Sequence, residues 1–402
     1  MKTQTLKGFR DFLPAQARKR QFVINTLKSV FESYGFEPLE TPALEYEEIL
    51  LGKYGDEGDK LMYRFVDNGK RKVALRYDQT VPLARVVAQF QNQLPMPFKR
   101  YQMQNVWRAD NTQKGRFREF LQCDADIVGT DSPLSDAEII QVAVRSIESL
   151  GFEKFKILIN DKSVFDGIEE STIASIDKLK KIGKDKVVEE LVKKGQSKEQ
   201  VVSILSSIEG KKPTERLAQI IYYLEKLGVK KSLIEFSPTL ARGLNYYTGL
   251  IIEAEIEGYD VGSILGGGRY DNLIGIFAGK QVPAVGFAFG FDRLMEAMEE
   301  LKLFPSDLQT TKVLVTVFSK DLIQNSIEYS LALRSAKVLA ELYLDENAKM
   351  EKQLKYADKK QIPYVIIIGP DEASKNLVTL KNMKTREQKT ISAKGITSEI
   401  VE

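Results

Sequence analysis

The sequence contains no histidine among its 402 residues, and it contains a single cysteine, Cys123. Without histidine, the chain cannot build the Ser–His or Cys–His nucleophile systems or the usual zinc sites. It also lacks the side chain most often used as a general acid or base near neutral pH. We therefore expect any catalysis to depend on charge stabilisation and positioning by Arg, Asp, Glu, Gln and Tyr side chains.

Other absences narrow the class of protein. One cysteine cannot form an internal disulfide, which fits a reducing compartment. No apolar run is long enough to cross a bilayer, and the first residues lack the apolar core of a signal peptide. The net charge is only +3, so any nucleic-acid binding must come from local basic patches. We predict a cytoplasmic protein of two or three domains with no membrane association.

The most informative segment is residues 98–129, in which two strand patterns flank a polar loop. Arg108 closes the first strand pattern. Five polar residues of the second part lie at positions of one parity: Arg116, Arg118, Gln122, Asp124 and Asp126. Because side chains alternate faces along a strand, one face would carry cations at one end and acids at the other. This arrangement is typical of a site that binds a polyphosphate at one end and an ammonium group at the other.

Hydrophobic periodicity predicts the main elements of the N-terminal part. A first amphipathic helix is predicted over residues 11–34. Asp67, Asn68 and Gly69 form a turn signal between two strand patterns and predict a β-hairpin. The hairpin strands and later helices are predicted over residues 61–66, 72–77, 80–90 and 133–150.

Residues 165–235 are rich in lysine and glutamate and poor in aromatic residues, and their helical periodicity predicts a helical insert. Strands are predicted to return over 236–257 and 259–265, followed by a strand and a helix over 284–300. After a polar linker near 301–311, strand and helix patterns alternate to residue 369. That β–α–β–α–β pattern predicts a parallel sheet with crossover helices.

Five peptides occur in an order that resembles class II aminoacyl-tRNA synthetases. They are TPALE (41–45), FREF (117–120), LARGLNYYTG (240–249), GGGRYDNL (266–273) and FDRL (291–294). The third and fourth are similar to the two signature peptides of histidyl-tRNA synthetases, and the resemblance covers nearly the whole chain. One departure is Asn245, where that family usually has Asp.

The resemblance implies an α+β fold: a class II antiparallel sheet flanked by helices, with a helical insert and a C-terminal α/β anticodon-binding domain. The catalytic domain would comprise residues 1–164 and 236–305, the insertion 165–235, and the anticodon-binding domain 311–402. The implied activity is the joining of L-histidine to tRNA-His through histidyl-adenylate, with ATP and Mg²⁺. The segment with Pro42 is similar to the family's dimer interface, which implies a homodimer.

The resemblance also assigns roles to individual residues. Arg108 and Arg242 would act at the reacting carboxylate and α-phosphate, Arg116 and Arg293 would bind the γ-phosphate, and Phe120 would stack on adenine. The implied histidine-binding residues are Asp78, Thr80, Arg108, Gln122, Asp124, Asp126, Arg242, Tyr247 and Tyr270. Guanidinium groups suit phosphate binding because their planar fork donates paired hydrogen bonds and stays charged.

Each assignment has an alternative. Arginines commonly form surface ion pairs, and Tyr246, at the opposite strand parity from Tyr247, is interpreted as a half-buried aromatic residue. The glycine run is not a Walker loop, since no Lys-Ser or Lys-Thr follows it; a close backbone approach explains it better. Lysines at 178–198 and 349–389 are either solvated helix faces or RNA contacts.

Two alternatives concern the whole chain. A synthetase-like regulatory subunit of histidine biosynthesis would lack the C-terminal domain and the ATP-site arginines, which this chain retains. An RNA-binding or sensor module would lack the substrate residues. With no histidine to titrate, the adenylation rate is further predicted to vary little between about pH 6.5 and 8.

Overall fold

The structure is a computed structural model that describes residues 3–51, 61–111, 117–242, 246–392 and 395–401. The chain divides into two compact units, Met1–Phe304 and Pro305–Glu402. The division lies in the polar stretch predicted as a linker. None of the helices in these described ranges is long and apolar enough to pass through a lipid bilayer.

The first unit mixes helices and strands throughout. Its first part contains α1 (Pro14–Ser33), β1 (Glu37–Pro38), β2 (Leu44–Tyr46), α2 (Glu47–Leu50), β3 (Arg64–Val66), β4 (Lys72–Leu75), α3 (Thr80–Phe90), β5 (Phe98–Trp107), β6 (Glu119–Val128), α4 (Pro133–Ser149) and β7 (Phe155–Asp161). Its second part contains α5 (Glu170–Ile176), α6 (Leu179–Ile182), α7 (Lys184–Lys193), α8 (Lys198–Glu209), α9 (Glu215–Lys226), β8 (Ile234–Phe236), β9 (Leu250–Ile256), β10 (Leu265–Arg269), α10 (Gly275–Ala278), β11 (Ala284–Gly290) and α11 (Phe291–Glu300).

An eight-stranded sheet organises this unit, in the order β1-β5-β6-β11-β10-β9-β7-β8. Its central strands are antiparallel, and the two edge strands, β1 and β8, run parallel to their neighbours. The odd-numbered residues of β6, such as Cys123 and Ala125, pack into the main hydrophobic core with α1 and α4. The even-numbered residues therefore face the opposite side of the sheet.

The helices predicted in the N-terminal part are confirmed. Pro14 and Pro133 begin α1 and α4, as proline at a first helical turn allows. The Ser132 hydroxyl caps α4 by accepting a hydrogen bond from the backbone N–H of Leu134 at 3.2 Å. The predicted hairpin is also present, since β3 and β4 pair antiparallel, and β2 completes a three-stranded sheet.

The strand predicted over residues 236–257 is wrong in its first half. β8 ends at Phe236 and β9 begins at Leu250, and the described residues between them are irregular. The backbone N–H of Thr248 instead donates to the carbonyl of Arg269 at 2.7 Å. Strand parity therefore does not apply to Tyr246 and Tyr247.

The helices of the predicted insert pack in two ways. α5, α7 and α8 surround a separate hydrophobic cluster that includes Val187, Leu191 and Leu205. The apolar stripe of α9, which includes Leu217 and Leu224, packs into the main core instead. The helical periodicity of this region was therefore predictable from sequence, but the destination of each apolar face was not.

The second unit contains β12 (Val313–Val315), α12 (Ile323–Ser335), β13 (Ala340–Leu342), α13 (Met350–Lys359), β14 (Tyr364–Ile367), α14 (Pro370–Lys375), β15 (Leu377–Asn382), β16 (Gln388–Ser392) and α15 (Ile396–Val401). β12 pairs in parallel with both β13 and β14, which confirms the predicted β–α–β–α–β pattern. The antiparallel strands β15 and β16 extend the sheet and were not predicted.

Candidate active site

Three polar side chains of β6 line a cavity of about 440 Å³, which we call the β6 cavity. Gln122, Asp124 and Asp126 share the face opposite to α1 and α4, so the predicted parity of these residues is observed. The Gln122 amide donates to both carboxylate oxygens of Asp124, at 2.9 and 3.0 Å. All three side chains are largely or fully buried, so their polar groups are held within the sheet face.

Glycines of β10 and β11 form the floor of this cavity. A Cβ atom on Gly286 would lie 1.9 Å from Asp126 Oδ1, and one on Gly268 would lie 2.4 Å from the carbonyl oxygen of Leu250 and 3.0 Å from the Tyr247 ring. A Cβ on Gly266 would lie 2.2 Å from Arg242 Cζ. The space beside Gly286 and Gly266 is thus taken by a side chain from another segment, and the space beside Gly268 is taken first by the backbone of β9. This close approach explains the glycine run GGG better than a phosphate loop does.

Arg100 of β5 lies beneath the two acids and was missed in the sequence. It is fully buried, and its Nη2 atom lies 2.7 Å from Asp126 Oδ2 and 3.9 Å from Asp124 Oδ2. The Tyr270 hydroxyl donates a short hydrogen bond to Asp126 Oδ1. The β5–β6 pairing places Arg100 directly opposite Asp126. A register assumed for the β5–β6 pair from the sequence alone would therefore have predicted this contact.

Burial controls the protonation of the two acids. Burial raises the pKa of Asp124 to about 7; Arg100 opposes the rise, and neighbouring Asp126 adds to it. Burial also raises the pKa of Asp126, while Arg100 and the Tyr270 hydrogen bond oppose that shift. The raised pKa of Asp124 therefore contradicts the expectation that every acidic side chain is already charged between pH 6.5 and 8.

Replacing Asp124 with Asn is expected to make the melting temperature of the ligand-free protein less sensitive to pH. The Asp124 pKa rises from 3.8 to about 7 on folding, so the folded form holds its proton to higher pH than the unfolded form. Stability is greatest below the unfolded pKa and is lost as pH rises towards the folded pKa. Between pH 6 and 8, the wild type should lose about 1 kcal/mol relative to Asp124→Asn. Equal pH dependence of the two melting temperatures would contradict the shift.

Three tyrosines contribute to the wall of the β6 cavity. Tyr246, Tyr247 and Tyr270 all line it, and the Tyr246 ring centroid lies 4.3 Å from that of Tyr247 and 6.2 Å from that of Tyr270. Tyr246 is half-buried as interpreted from the sequence, but the strand assignment is wrong, because its segment is irregular. Burial raises the pKa of each tyrosine, so their hydroxyls are neutral hydrogen-bonding groups at pH 7.

A second cavity of about 580 Å³, the adjoining cavity, shares Arg108, Phe120 and Arg242 with the β6 cavity. Arg108 is held at the junction, since its Nε donates to the carbonyl of Tyr77 at 2.8 Å. Its Cζ atom lies 5.2 Å from the centroid of the Phe120 ring. The shared residues place a cation and an aromatic ring where ligands in the two cavities would meet.

Arg242 is paired with a carboxylate that the sequence did not single out. Its Nη1 donates a short hydrogen bond to Glu253 Oε1, and Glu253 also lines the adjoining cavity. Arg242 keeps 41% of its side-chain surface exposed. Glu253 belongs to the mostly buried strand β9. An acid in so apolar a strand is the signal that could have identified it.

The remaining predicted residues divide between the two cavities. Asp78 and Thr80, at the start of α3, line the β6 cavity. Arg293 lines the adjoining cavity, and its Nη1 donates to the carbonyl of Ser263 at 3.1 Å. Arg116 and Asn245 lie outside the described residues. Among the residues that are described, no three His, Cys, Asp or Glu side chains come together as a metal site.

Comparisons with known proteins find matches to both units of the chain. A family model described as histidyl-tRNA synthetase matches residues 8–214 and 186–294, and one described as anticodon binding domain matches 312–402. The chain is 42% identical to the histidine–tRNA ligase of Cytophaga hutchinsonii, over 95% of this chain and 96% of that protein. It is 40% identical to the histidine–tRNA ligase of Christiangramia forsetii, over 97% of each.

A solved structure extends the agreement to the fold. The crystal structure of histidyl-tRNA synthetase from Nostoc sp. PCC 7120 matches with a TM-score of 0.87 and 32% identity, covering 100% of this chain and 99% of that chain. The predicted fold class is therefore confirmed, including the C-terminal anticodon-binding domain. The chain belongs to the histidyl-tRNA synthetase family, the class II aminoacyl-tRNA synthetases that ligate histidine to tRNA.

Proposed function

We propose that this chain binds histidine in the β6 cavity and ATP in the adjoining cavity, and that it passes the activated histidine to the 3′ end of tRNA-His. The observation that carries this proposal is that Arg108, Phe120 and Arg242 line both cavities. A carboxylate bound in one cavity and a triphosphate bound in the other would meet between two guanidinium groups.

The β6 cavity suits histidine because it offers polar groups at both ends of the substrate. Asp78, Thr80 and Gln122 would bind the α-amino group. Asp126, held by Arg100 and Tyr270, would accept a hydrogen bond from one imidazole nitrogen. Tyr247 would contact the other ring nitrogen, and Asp124 would complete the wall. An analogue without both nitrogens would leave buried polar groups unpaired, which gives strong discrimination.

The adjoining cavity suits ATP because it combines an aromatic ring with cations. Phe120 would stack on adenine, and Arg116 and Arg293 would bind the γ-phosphate. Arg108 and Arg242 would stabilise charge on the α-phosphate. Mg²⁺ would arrive with ATP and be held mainly by the phosphates, as it commonly is, supplying positive charge to them.

The chemistry requires positioned charge and no protein base. A carboxylate oxygen of histidine attacks the α-phosphorus, the bond to the bridging oxygen breaks, and pyrophosphate leaves. Negative charge on the phosphate oxygens faces Arg108 and Arg242, which are already in place. A terminal hydroxyl of tRNA then attacks the histidyl carbonyl. Its proton is taken by a phosphate oxygen of the departing adenylate, so the absence of histidine side chains is no obstacle.

We propose that each domain of the chain has its own function. Residues 1–164 and 236–305 form the catalytic domain, 165–235 an insertion, and 311–402 the anticodon-binding domain. All the proposed ATP and histidine ligands lie before residue 305. Lysines of the insert and of the C-terminal domain would contact tRNA phosphates. The reaction would take place in the cytoplasm.

Deleting residues 311–402 is expected to reduce tRNA charging at least tenfold while leaving pyrophosphate exchange within a few-fold of the full chain. The reason is that the deleted unit contributes no proposed adenylation ligand but would supply tRNA contacts. Both activities should be measured on the truncated protein after its folding is checked by circular dichroism. Equal loss of both activities in a folded truncation would refute the division.

We also propose that the protein is a homodimer. Apolar side chains on one face of the three-stranded sheet, Leu44, Tyr46 and Phe65, are exposed in the single chain. A cluster of exposed apolar side chains of this kind is typical of an interface. The segment with Pro42 directly precedes β2 of this sheet. Arg76 Nη1 donates a hydrogen bond to the Pro42 carbonyl at 3.2 Å. Light scattering on the purified protein would test for two copies.

Histidine-dependent exchange of pyrophosphate into ATP tests the proposed function directly. Exchange that requires histidine and is followed by charging of tRNA-His would support it. A regulatory subunit or an RNA-binding module with this fold would show neither activity. Active exchange without charging would leave the adenylation proposal intact and contradict the transfer step.

A further inference from the structure

An N-terminal segment, residues 8–12, connects the second strand of the β5–β6 hairpin to the start of α11. We call it the N-terminal strap. The carbonyl of Gly8 accepts a hydrogen bond from the backbone N–H of Arg118 at 2.9 Å. Gly8 has φ +88°, and a Cβ there would lie 2.7 Å from Arg118 Cγ. Glycine is therefore needed both for the backbone conformation and for this close approach.

Arg10 is the central residue of the strap. Its Nη2 donates to Asp292 Oδ2 at 2.7 Å, and its Cζ atom lies 3.2 Å from the centroid of the Phe117 ring. The Arg10 guanidinium thus contacts both Phe117, just before β6, and Asp292, in the first turn of α11. Asp292 keeps only 10% of its side-chain surface exposed. The ion pair is therefore less screened by solvent than an ordinary surface pair.

Arg20 of α1 reinforces the same contact. Its Nη1 atom lies 3.6 Å from Asp292 Oδ1. The Phe12 ring contacts both arginines, with its centroid 4.9 Å from Arg10 Cζ and 3.9 Å from Arg20 Cζ. Two cations, one carboxylate and two aromatic rings therefore hold three separate parts of the chain together. A surface ion pair alone would not require this stacking.

The cluster borders the adjoining cavity without belonging to its ligands. Phe117 and Asp292 line that cavity, and Arg293, the proposed γ-phosphate ligand, follows Asp292 directly. Phe117 lies on the same segment as Phe120, the proposed adenine contact. Any movement of the strap would therefore shift the two walls of the adjoining cavity relative to each other. The proposed histidine contacts on β6, which begin at Gln122, lie further from the cluster in the sheet.

We propose that Arg10 is a positioning residue for ATP, acting through Phe117 and Asp292. This inference rests on the proposed assignment of the adjoining cavity to ATP. Arg10 has no role in the β6 cavity. Its removal should therefore affect the two substrates unequally, and that inequality distinguishes positioning from a general contribution to stability.

The test compares Michaelis constants in pyrophosphate exchange for Arg10→Ala and Arg10→Lys. In Arg10→Ala, the KM for ATP is expected to rise about tenfold, since a stacked and paired guanidinium contributes roughly that factor. The KM for histidine should stay within twofold of wild type. Arg10→Lys keeps a charge for Asp292 but loses the planar stack on Phe117, so it should restore part of the ATP affinity.

A double-mutant cycle with Phe117→Leu adds a second criterion. If Arg10 acts through Phe117, the double variant should raise the KM for ATP by less than the product of the two single effects. Multiplicative effects would overturn the proposed route through Phe117.

Lys19→Ala is the matched control. Lys19 also joins α1 to α11, through an exposed pair with Glu299 at 2.6 Å, but it does not line either cavity. Its variant should leave both Michaelis constants unchanged. Equal rises in the two constants for Arg10→Ala, or no rise for ATP, would overturn the role of Arg10. Failure of histidine-dependent exchange in the wild type would instead overturn the proposed function.

Discussion

Replacing Arg242 with Ala is expected to slow pyrophosphate exchange by about 10²–10³-fold, the usual effect of removing one preorganised donor at a reaction centre. Arg242 lines both cavities, where the histidine carboxylate and the α-phosphate would meet. Its side chain is partly exposed and pairs with Glu253 alone among the described carboxylates. The loss should therefore appear in the rate and leave the melting temperature nearly unchanged.

Arg145→Ala serves as the control for removing an arginine. Arg145 is exposed on α4 and pairs with Glu148 at 2.9 Å, remote in sequence from the proposed ligands. Exchange by that variant should match the wild type. An Arg242→Ala enzyme that retains exchange within a few-fold of wild type would refute the assignment of Arg242 to the reaction centre.

Replacing Gly286 with Ala should raise the KM for histidine by on the order of 10²-fold or more, as disruption of a buried, paired charge does. The new Cβ would lie 1.9 Å from Asp126 Oδ1 and 2.7 Å from the carbonyl oxygen of Ala125. Asp126 cannot turn away freely, because Arg100 and Tyr270 hold its two oxygens. Either the acid or strand β11 must move, and both belong to the β6 cavity.

Gly290→Ala, on the same strand, is the matched comparison. A Cβ there would meet its nearest neighbour, the carbonyl oxygen of Ile264, at 3.7 Å, which is an ordinary contact. Its φ of −73° also suits alanine. Histidine affinity should be far less affected than in Gly286→Ala. Similar Michaelis constants for the two variants would show that the close approach at Gly286 does not control the cavity.

Periodicity and turn chemistry predicted most of the fold. The limits of α3, for example, follow from the pattern of residues 80–90, and the parallel pairing of β12 with β13 and β14 follows from alternating elements. The error in the segment after β8 has an identifiable physical cause. The segment after β8 ends in two tyrosines that favour a strand, but the backbone N–H of Thr248 bonds to Arg269 at the end of β10. Local propensity does not reveal that choice of partner.

Prediction of the site was limited in the same way. The face carrying Gln122, Asp124 and Asp126 could be predicted because strand parity is a local property. Arg100 and Glu253 were missed because their importance comes from other segments: Arg100 lies opposite Asp126 on the next strand, and Glu253 meets Arg242 in the irregular segment before β9. The shifted pKa of Asp124 could not be predicted either, since burial depends on the assembled sheet.

The glycines beside the β6 cavity limit how the specificity of such a pocket can change in evolution. Gly286 accommodates Asp126, and Gly266 accommodates Arg242. Each pair unites residues that are distant along the chain. A longer acid at position 126, or a side chain at position 286, must therefore be matched by a change in its counterpart. A new side-chain specificity would have to arise through coordinated double substitutions, because each single step passes through a clash or a void.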